Sequence, residues 1–208
     1  MSHNTDAVHE TPIIRFYDMM RAGHVTRWHT VNTAREQSVA EHAWLVTIIG
    51  MHLARHLPPK DECIFDDVGE EYRFMSALMT HDMPEVKTGD IPTPAKHMIQ
   101  VMAGISDLFE KVDYLLMPAI PFSGGTLPPA LGAILGLADQ IEAAHWIREN
   151  GLGRHAEIVA QGCWDRVVNR VRECQSSLPQ WDWYGATNKT LTGMGMPFLY
   201  KSALETPP

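Results

Sequence analysis

The sequence lacks the features that mark membrane, secreted and disulfide-rich proteins. Its longest mostly apolar run, AWLVTIIGMHLA at 43–54, contains a histidine and is far shorter than a membrane span. The opening residues MSHNTDAVHETP lack the charged and then apolar profile of a signal peptide. The three cysteines, Cys63, Cys163 and Cys174, show no CxxC or finger spacing, and an odd number argues against a disulfide framework. We therefore expect a soluble cytoplasmic protein with reduced thiols.

A concentration of positive charge is also missing. The 208 residues carry 17 Lys and Arg against 25 Asp and Glu, a formal net charge of −8, with no long basic stripe. Polymeric nucleic acid is therefore not an expected partner. A small anionic substrate remains compatible, because a few local Arg and Lys residues suffice to bind it.

The dominant pattern is helical periodicity. No run shows sustained period-two alternation, and no repeat, low-complexity tract or linker divides the chain. The sequence predicts an all-α helical bundle in one domain over 1–208, with a core at about 12–177 and an irregular tail at 187–208. Helices are predicted at about 12–22, 38–57, 66–82, 95–117, 128–149 and 153–177.

His42 is a polar residue on an apolar face of the second predicted helix. It shares that face with Leu45, Val46, Ile49 and Leu53. Taken alone, it fits a core histidine with one satisfied ring nitrogen.

The third predicted helix ends in a His-Asp pair. His81 and Asp82 flank the C-terminal end of its inner stripe. That stripe consists of Phe74, Met75, Leu78 and Met79. A carboxylate there meets the negative end of the helix dipole and requires a positive partner. A charged, proline-stiffened loop follows, MPEVKTGDIPTPAKH at 83–97.

Asp139 lies in the apolar segment AILGLADQIEAAHWI, on a face with Leu135, Ala143 and Trp146. A buried carboxylate must be paired, protonated or bound to metal, and no Lys or Arg lies one turn away. Two histidines and two aspartates pointing inward from three helices are the natural ligands of a divalent transition metal. The residues alone do not identify the ion. His3, His9, His24 and His29 share no ligand spacing, so we assign them no second metal.

The order His42, His81-Asp82, Asp139 resembles the HD-domain metal-dependent phosphohydrolases, and among them the small 5′-deoxynucleotidases. The resemblance covers about residues 12–150. It is carried by the Arg27-Trp28 pair, the VAEH segment, HDMPEVKTGDIPTPAK at 81–96 and GLADQIEA at 136–143. The dATP triphosphohydrolases of phages that replace adenine with 2-aminoadenine share the same core motifs.

This resemblance implies an HD-domain bundle with one divalent metal per chain (Co, Mn or Zn, with Mg as a further option) in its core. His42, His81, Asp82 and Asp139 would bind the metal. Glu85 would orient or deprotonate the attacking water, or protonate the leaving group.

The other implied roles concern the substrate. Arg27 and Lys96 would contact phosphate, Trp28 would close against the sugar where a 2′-hydroxyl would sit, and Asp90 would lie beside sugar and phosphate. The implied activity is hydrolysis of the 5′ phosphate ester of deoxynucleoside monophosphates, by a bacterial or phage-encoded enzyme.

Several alternatives stay open. The substrate is a deoxynucleoside monophosphate or a triphosphate such as dATP, and the base is not readable. Relatives often carry a lysine where this chain has Gly136. The loss of that positive charge favours the monophosphate, unless Arg35 or Lys87 supplies a positive charge in its place. A non-catalytic nucleotide-binding HD protein is the rival class, although the four ligands and Glu85 are intact. A homo-oligomer, dimer or larger, is expected from the Trp-rich C-terminal segment.

Overall fold

A computed structural model describes residues 14–117, 127–197 and 199. The described part is mainly helical, which confirms the predicted all-α class. Its helices are α1 (Phe16–Met19), a 3-10 helix (Met20–His24), α2 (Val39–His56), α3 (Val68–Thr80), α4 (Glu85–Thr88), α5 (Thr93–Ala103), α6 (Leu108–Leu116), α7 (Pro129–Asn150), α8 (Gly153–Ser177) and α9 (Trp183–Gly193). Within these described ranges, no helix is both long and apolar enough to cross a membrane.

Helices α2, α7 and α8 form the centre of the bundle. Helix α7 packs against both α2 and α8, while α3 and α9 pack against α2. The main core contains fully buried side chains from each of these helices, among them Val46, Phe74, Ile141, Val167 and Trp183. This packing brings α2, α3 and α7 together, and these are the helices that carry the predicted metal ligands.

The start of α2 follows the sequence signals. The side chain of Ser38 accepts a hydrogen bond from the backbone N–H of Glu41, as the Ser-x-x-Glu spacing predicts. Asp67 caps α3 in the same way, through the N–H of Glu70. These caps fix the ends of two helices that lead to the site.

Two short strands precede α2 and were not predicted. β1 (Thr26–Arg27) pairs antiparallel with β2 (Gln37–Ser38), with Arg27 opposite Gln37. At two residues each, the strands are too short to show a period in the sequence. They position Arg27 and Trp28 close to the beginning of α2.

The prediction of one helix at about 95–117 was wrong. Gly104 adopts a left-handed conformation, with φ of 67°, and ends α5 before α6 begins. The helix predicted at about 12–22 is also shorter, because α1 gives way to a 3-10 helix after Met19, and Pro12 lies outside the described residues.

The tail predicted from Thr187 was wrong over its first part. α9 extends to Gly193, and Trp183 and Leu191 are fully buried against the core. The sequence pattern obscured this helix because its glycine, threonine and asparagine residues have low helix propensity. Tertiary packing stabilises it despite that composition. The core therefore extends beyond residue 177.

The inner stripe of α3 is narrower than predicted. Phe74 and Leu78 are fully buried, but the side chain of Met79 is 46% exposed. Of the three cysteines, Cys163 and Cys174 are buried free thiols and Cys63 is an exposed one.

Candidate metal centre and substrate cavity

The structure brings the four predicted metal ligands together. Nε2 of His42 lies 3.2 Å from Nε2 of His81, 3.2 Å from Oδ2 of Asp82 and 3.2 Å from Oδ1 of Asp139. One ligand atom from each residue falls within 4.8 Å of the others. The cluster forms because α2, α3 and α7 pack together, and each provides its predicted ligands where the helices approach one another.

Both histidines are held so that Nε2 faces the cluster. Nδ1 of His42 lies 2.6 Å from Oε2 of Glu142, a fully buried carboxylate. Nδ1 of His81 lies 2.9 Å from the backbone carbonyl of Leu78. These acceptors favour the tautomer with the proton on Nδ1, which leaves Nε2 free to bind a metal. Glu142 was not predicted.

The electrostatics of the cluster suit a cation. Burial alone would lower the pKa of His42, but hydrogen bonds to Asp139, Asp82 and Glu142 raise it well above its ordinary value. Burial works to raise the pKa values of Asp82 and Asp139, but the nearby histidines lower both. Two imidazoles and two carboxylates carry a charge of −2, which a divalent ion neutralises. The residues therefore fit a divalent metal.

Asp139 is less enclosed than the sequence suggested. Its side chain is 40% exposed, whereas His42 is fully buried and the Asp82 side chain is 22% exposed. The prediction of a buried carboxylate was therefore only partly right. Solvent therefore reaches the cluster from the side of Asp139.

Glu85 lies in α4, three residues after Asp82. Its Oε1 is 3.3 Å from Nζ of Lys96, while its buried Oε2 makes no hydrogen bond within the described residues. Burial first, and then the charges of Asp82 and Asp90, raise the pKa of Glu85 to about 8. A carboxyl group in this state holds a proton near neutral pH and is able to give it up, which is what acid–base chemistry requires.

Asp90 and Glu85 line one cavity of about 600 Å³. Its other walls include Thr26, His24 and His29, which lie before and after Arg27. His3 and His9 fall outside the described residues. The cavity has room for a small polar ligand, and it adjoins the site through Glu85, since none of the four predicted metal ligands lines it.

Arg27 is bound into the cluster itself. Its Nη1 donates a hydrogen bond of 2.8 Å to Oδ2 of Asp82, and its side chain is only 13% exposed. Lys96 is more accessible, and its Nζ lies 5.9 Å from the centre of the Phe109 ring. Two cations therefore flank the cluster, at positions suited to an anionic substrate.

Trp28 lies at the edge of the core, stacked on Trp146 with the ring centres 5.5 Å apart. Its Nε1 donates a 2.8 Å hydrogen bond to Oε1 of the fully buried Gln37. Nε2 of Gln37 in turn donates to Oε1 of Glu142 at 2.6 Å. Gln37 was not predicted, since a lone glutamine in an irregular stretch gives no signal.

Arg35 and Lys87, which were suggested to replace the positive charge of a lysine at position 136, form ion pairs with other residues. Arg35 pairs with Glu41 at 2.7 Å, and Lys87 pairs with Asp18 at 2.8 Å. Gly136 instead lies against Arg170 of α8, whose Nη2 is 3.0 Å from the position that a Cβ at 136 would occupy.

Comparisons with known proteins agree with this geometry. The model of the family described as 5′-deoxynucleotidase YfbR-like matches residues 15–120. The chain is 33% identical to a dATP triphosphohydrolase of Salmonella phage PMBT28, over 75% of this chain and 77% of that protein. It is 33% identical to one from Acinetobacter phage SH-Ab 15497, over 80% and 84%. The 5′-deoxynucleotidase YfbR of Escherichia coli O1:K1 / APEC is 31% identical over 47% of each chain.

A solved structure shares the fold. The HD phosphohydrolase DatZ of Cyanophage S-2L, described as bound to dA and one catalytic Zn²⁺ ion, superposes with a TM-score of 0.63 at 22% identity. The match covers 88% of this chain and 98% of that one. Taken with the sequence matches, the chain belongs to the YfbR-like 5′-deoxynucleotidase family of HD-domain phosphohydrolases, which are hydrolases.

Proposed function

We propose that this protein hydrolyses the 5′ phosphate ester of 2′-deoxynucleotides with one bound divalent metal. The observation that carries the proposal is the cluster of His42, His81, Asp82 and Asp139, with Glu85 beside it on the wall of a cavity. Zinc is the first candidate, supported by the Zn²⁺ of DatZ, and cobalt and manganese are the others.

The bound metal would supply a nucleophile at neutral pH by lowering the pKa of its water. The four predicted ligands would hold the ion, and Glu142 keeps the His42 ring in place. Arg27 and Lys96 would bind the phosphate oxygens and offset their charge. Glu85, with a pKa raised to about 8, would orient the attacking water or deliver a proton to the departing 5′ oxygen. Asp90 would border the sugar and phosphate from the cavity wall.

Trp28 would select the deoxyribose. An indole packed against the 2′ carbon leaves no room for a hydroxyl group, so ribonucleotides would be rejected on steric grounds. The stack on Trp146 supports this role, because it keeps the Trp28 ring from swinging away.

The number of phosphates distinguishes two candidate reactions. Both break the bond between the 5′ oxygen and the first phosphorus, one in dNMP and the other in dNTP. The family model favours the monophosphate. The phage dATP triphosphohydrolases match more of this chain and favour the triphosphate. The glycine at position 136, where relatives often carry a lysine, favours the monophosphate. The guanidinium of Arg170 lies beside that glycine and weakens this argument.

One experiment tests the activity and separates the two reactions. Protein loaded with Zn²⁺, Co²⁺ or Mn²⁺ is incubated with every dNMP, every dNTP and the matching ribonucleotides, and the products are separated. We expect deoxynucleoside together with phosphate from dNMPs, or with intact triphosphate from dNTPs. Absence of turnover with all of them, from protein that still binds nucleotide, would establish the non-catalytic alternative.

The metal ligands are tested on the same preparations. His81→Ala and Asp139→Ala should each lose the metal that elemental analysis finds at about one ion per wild-type chain. Full occupancy in both variants would overturn the assignment.

We also propose a homo-oligomer that works in the cytoplasm of a bacterium or of a phage-infected host. The expected reason, the Trp-rich C-terminal segment, gives limited support, because Trp183 is buried within the chain and Trp181 is partly buried against the core. Further support comes from the exposed apolar side chains Met98, Val101 and Met102 of α5 and Tyr114 of α6. Light scattering at micromolar concentration should give at least twice the 23.4 kDa chain mass, and a monomeric mass would refute the proposal.

A further inference from the structure

An unbroken chain of hydrogen bonds links Trp28 to the metal cluster. Trp28 Nε1 donates to Gln37 Oε1 at 2.8 Å, and Gln37 Nε2 donates to Glu142 Oε1 at 2.6 Å. The other oxygen of Glu142 lies 2.6 Å from Nδ1 of His42. Gln37, His42 and Glu142 are each fully buried, so these bonds are shielded from water.

Trp28 is held in an unfavourable backbone conformation. Its φ is 64°, in the left-handed region that bulky side chains rarely adopt. Such a conformation persists only where the surrounding contacts fix it. The indole has two such contacts, the stack on Trp146 and the hydrogen bond to Gln37, and only the second sets the rotation of the ring edge.

Gln37 suits this task better than other residues. Its amide presents one acceptor and one donor, and here the acceptor meets an indole N–H and the donor meets a carboxylate. The two neighbours require opposite polarity, and the amide of Gln37 provides both a donor and an acceptor. Gln37 is also tied to the fold through β2, which pairs with the strand that ends at Arg27.

We propose that Gln37 is a positioning residue that fixes the Trp28 ring for sugar discrimination and, through Glu142, joins that ring to the metal ligand His42. The proposal rests on the proposed function, since it presumes that Trp28 faces the 2′ carbon of the sugar. Its consequence is that discrimination between deoxyribose and ribose depends on a residue that touches no substrate.

The test compares binding of 2′-deoxyadenosine and adenosine to the metal-loaded protein by calorimetry, so that turnover plays no part. Gln37→Met removes the amide at nearly constant volume. Trp28→Phe keeps an aromatic ring but removes the N–H donor. Each should reduce the ratio of the two affinities by about fivefold or more, as expected for loss of one buried hydrogen bond. The double variant should be no worse than either single variant, because both remove the same link.

Gln175→Met is the matched control. Gln175 is a partly buried glutamine in α8 that bonds the backbone of Trp181 and Trp183 instead of an indole N–H. Its affinity ratio should equal that of the wild type. Metal content is measured throughout, and Trp28→Phe should retain about one ion per chain.

The outcomes separate the two proposals. Equal binding of both nucleosides by the wild type would contradict the deoxyribose selectivity itself. Discrimination by the wild type that survives unchanged in Gln37→Met or in Trp28→Phe would overturn the role of Gln37. Should Gln37→Met fail to fold, as judged by circular dichroism, Gln37→Asn takes its place, because it keeps the amide but is too short to span Trp28 and Glu142, and the same loss of discrimination is expected.

Discussion

Glu85 differs from the ligand carboxylates in what surrounds it. Asp82 and Asp139 face histidines, whereas Glu85 faces the charges of Asp82 and Asp90 and pairs with Lys96 through one oxygen. Neighbouring carboxyl groups with opposite pKa shifts are the usual arrangement in acid–base catalysis. The local chain explains the separation, because the turn at Pro84 carries Glu85 away from the helix end that presents Asp82.

Replacing Glu85 should therefore remove chemistry and spare metal binding. We expect Glu85→Gln to retain about one metal ion per chain and to lower kcat by ~10²-fold or more, with KM little changed. Elemental analysis and steady-state kinetics check this, with the exposed Glu62→Gln as control. A kcat within a few-fold of wild type would transfer the role to Asp90 or to the metal alone.

The same residue predicts a dependence of stability on pH in the metal-free protein. The folded pKa of about 8 lies above the ordinary value of 4.5, so Glu85 contributes stability below about pH 4.5 that is lost as the pH rises through about 8. Glu85→Gln cannot ionise and escapes this loss. We expect its unfolding free energy to exceed that of wild type by on the order of 1 kcal/mol or more at pH 9, and by less at pH 5. A difference that does not change with pH would show that Glu85 ionises normally.

Replacement of Arg170 should distinguish a triphosphate substrate from a monophosphate. Gly136 precedes Asp139 by three residues, a spacing that places Cβ positions about 5–6 Å apart. The Arg170 guanidinium, 3.0 Å from the Cβ position at 136, therefore lies against α7 one turn before Asp139. Its Nε is buried and makes no hydrogen bond to the described residues, and its contact with Glu173 is long, at 3.4 Å.

If the substrate is a triphosphate, Arg170→Ala should raise KM for dATP by about tenfold or more and change KM for dAMP far less. Arg154→Ala, at the opposite end of the same helix, is the control. An equal rise in both KM values would mean that Arg170 acts on the fold and not on the distal phosphates.

Candidate site residues could be identified from the sequence where burial of a polar side chain would cost free energy. His42 and Asp139 stood out because each interrupts an apolar face, and Asp82 because it lies at the negative end of the helix dipole. Glu142 interrupts the same face of α7 and carried the same signal, but its partners His42 and Gln37 come from residues about 100 positions earlier. Such a pairing is set by tertiary packing, which periodicity does not report.

At the level of helices, the close approach of α2 and α3 sets the distance between His42 and His81. Gly50 of α2 faces Leu78 of α3, and a Cβ at position 50 would lie 2.6 Å from a methyl carbon of that leucine. Leu78 is fully buried in the main core. His81 follows Leu78 by less than one turn. The spacing between α2 and α3 therefore affects the distance between His42 and His81 directly.

Two glycine-to-alanine changes should have opposite effects on stability. Gly132 in α7 has open space at its Cβ position, so Gly132→Ala should raise the unfolding free energy by about 0.5–1 kcal/mol through helix propensity. Gly50→Ala gains the same propensity but overpacks Leu78, and we expect a net loss of about 1–3 kcal/mol. Chemical denaturation measures both, and a stabilising Gly50→Ala would show that α2 and α3 separate easily.

The ends of helices could be predicted from the sequence, whereas breaks within a helical pattern were harder to predict. Ser38, Asp67 and Pro58 mark ends that the structure places within about two residues of the predicted positions. The break at Gly104 was missed because a single glycine within a periodic pattern is also tolerated inside a helix. α9 was missed for the opposite reason, since its stability comes from burial of Trp183 and Leu191 and not from propensity.

At the scale of the whole molecule, the predicted metal site joins the helices of the main core. Its four predicted ligands come from α2 (His42), α7 (Asp139) and the end of α3 (His81 and Asp82). The sequence predicted that these helices converge, because only a shared site explains their inward polar residues. It did not predict how α9 closes the bundle against α2 and α8.

Binding of the metal should therefore stabilise the entire bundle. An ion that binds only the folded state at 100 times its Kd adds about 2.7 kcal/mol, which corresponds to a rise in Tm of roughly 5–10 °C for a chain of this size. We expect this rise when Zn²⁺ or Co²⁺ is added to chelator-treated protein, followed by calorimetry. Asp139→Ala should lose most of the rise, because it removes the ligand from α7, whereas the exposed Asp165→Asn in α8 should keep it. An equal rise in both variants would mean that the ion stabilises the protein from some other position, and that the cluster around His42 is not where it binds.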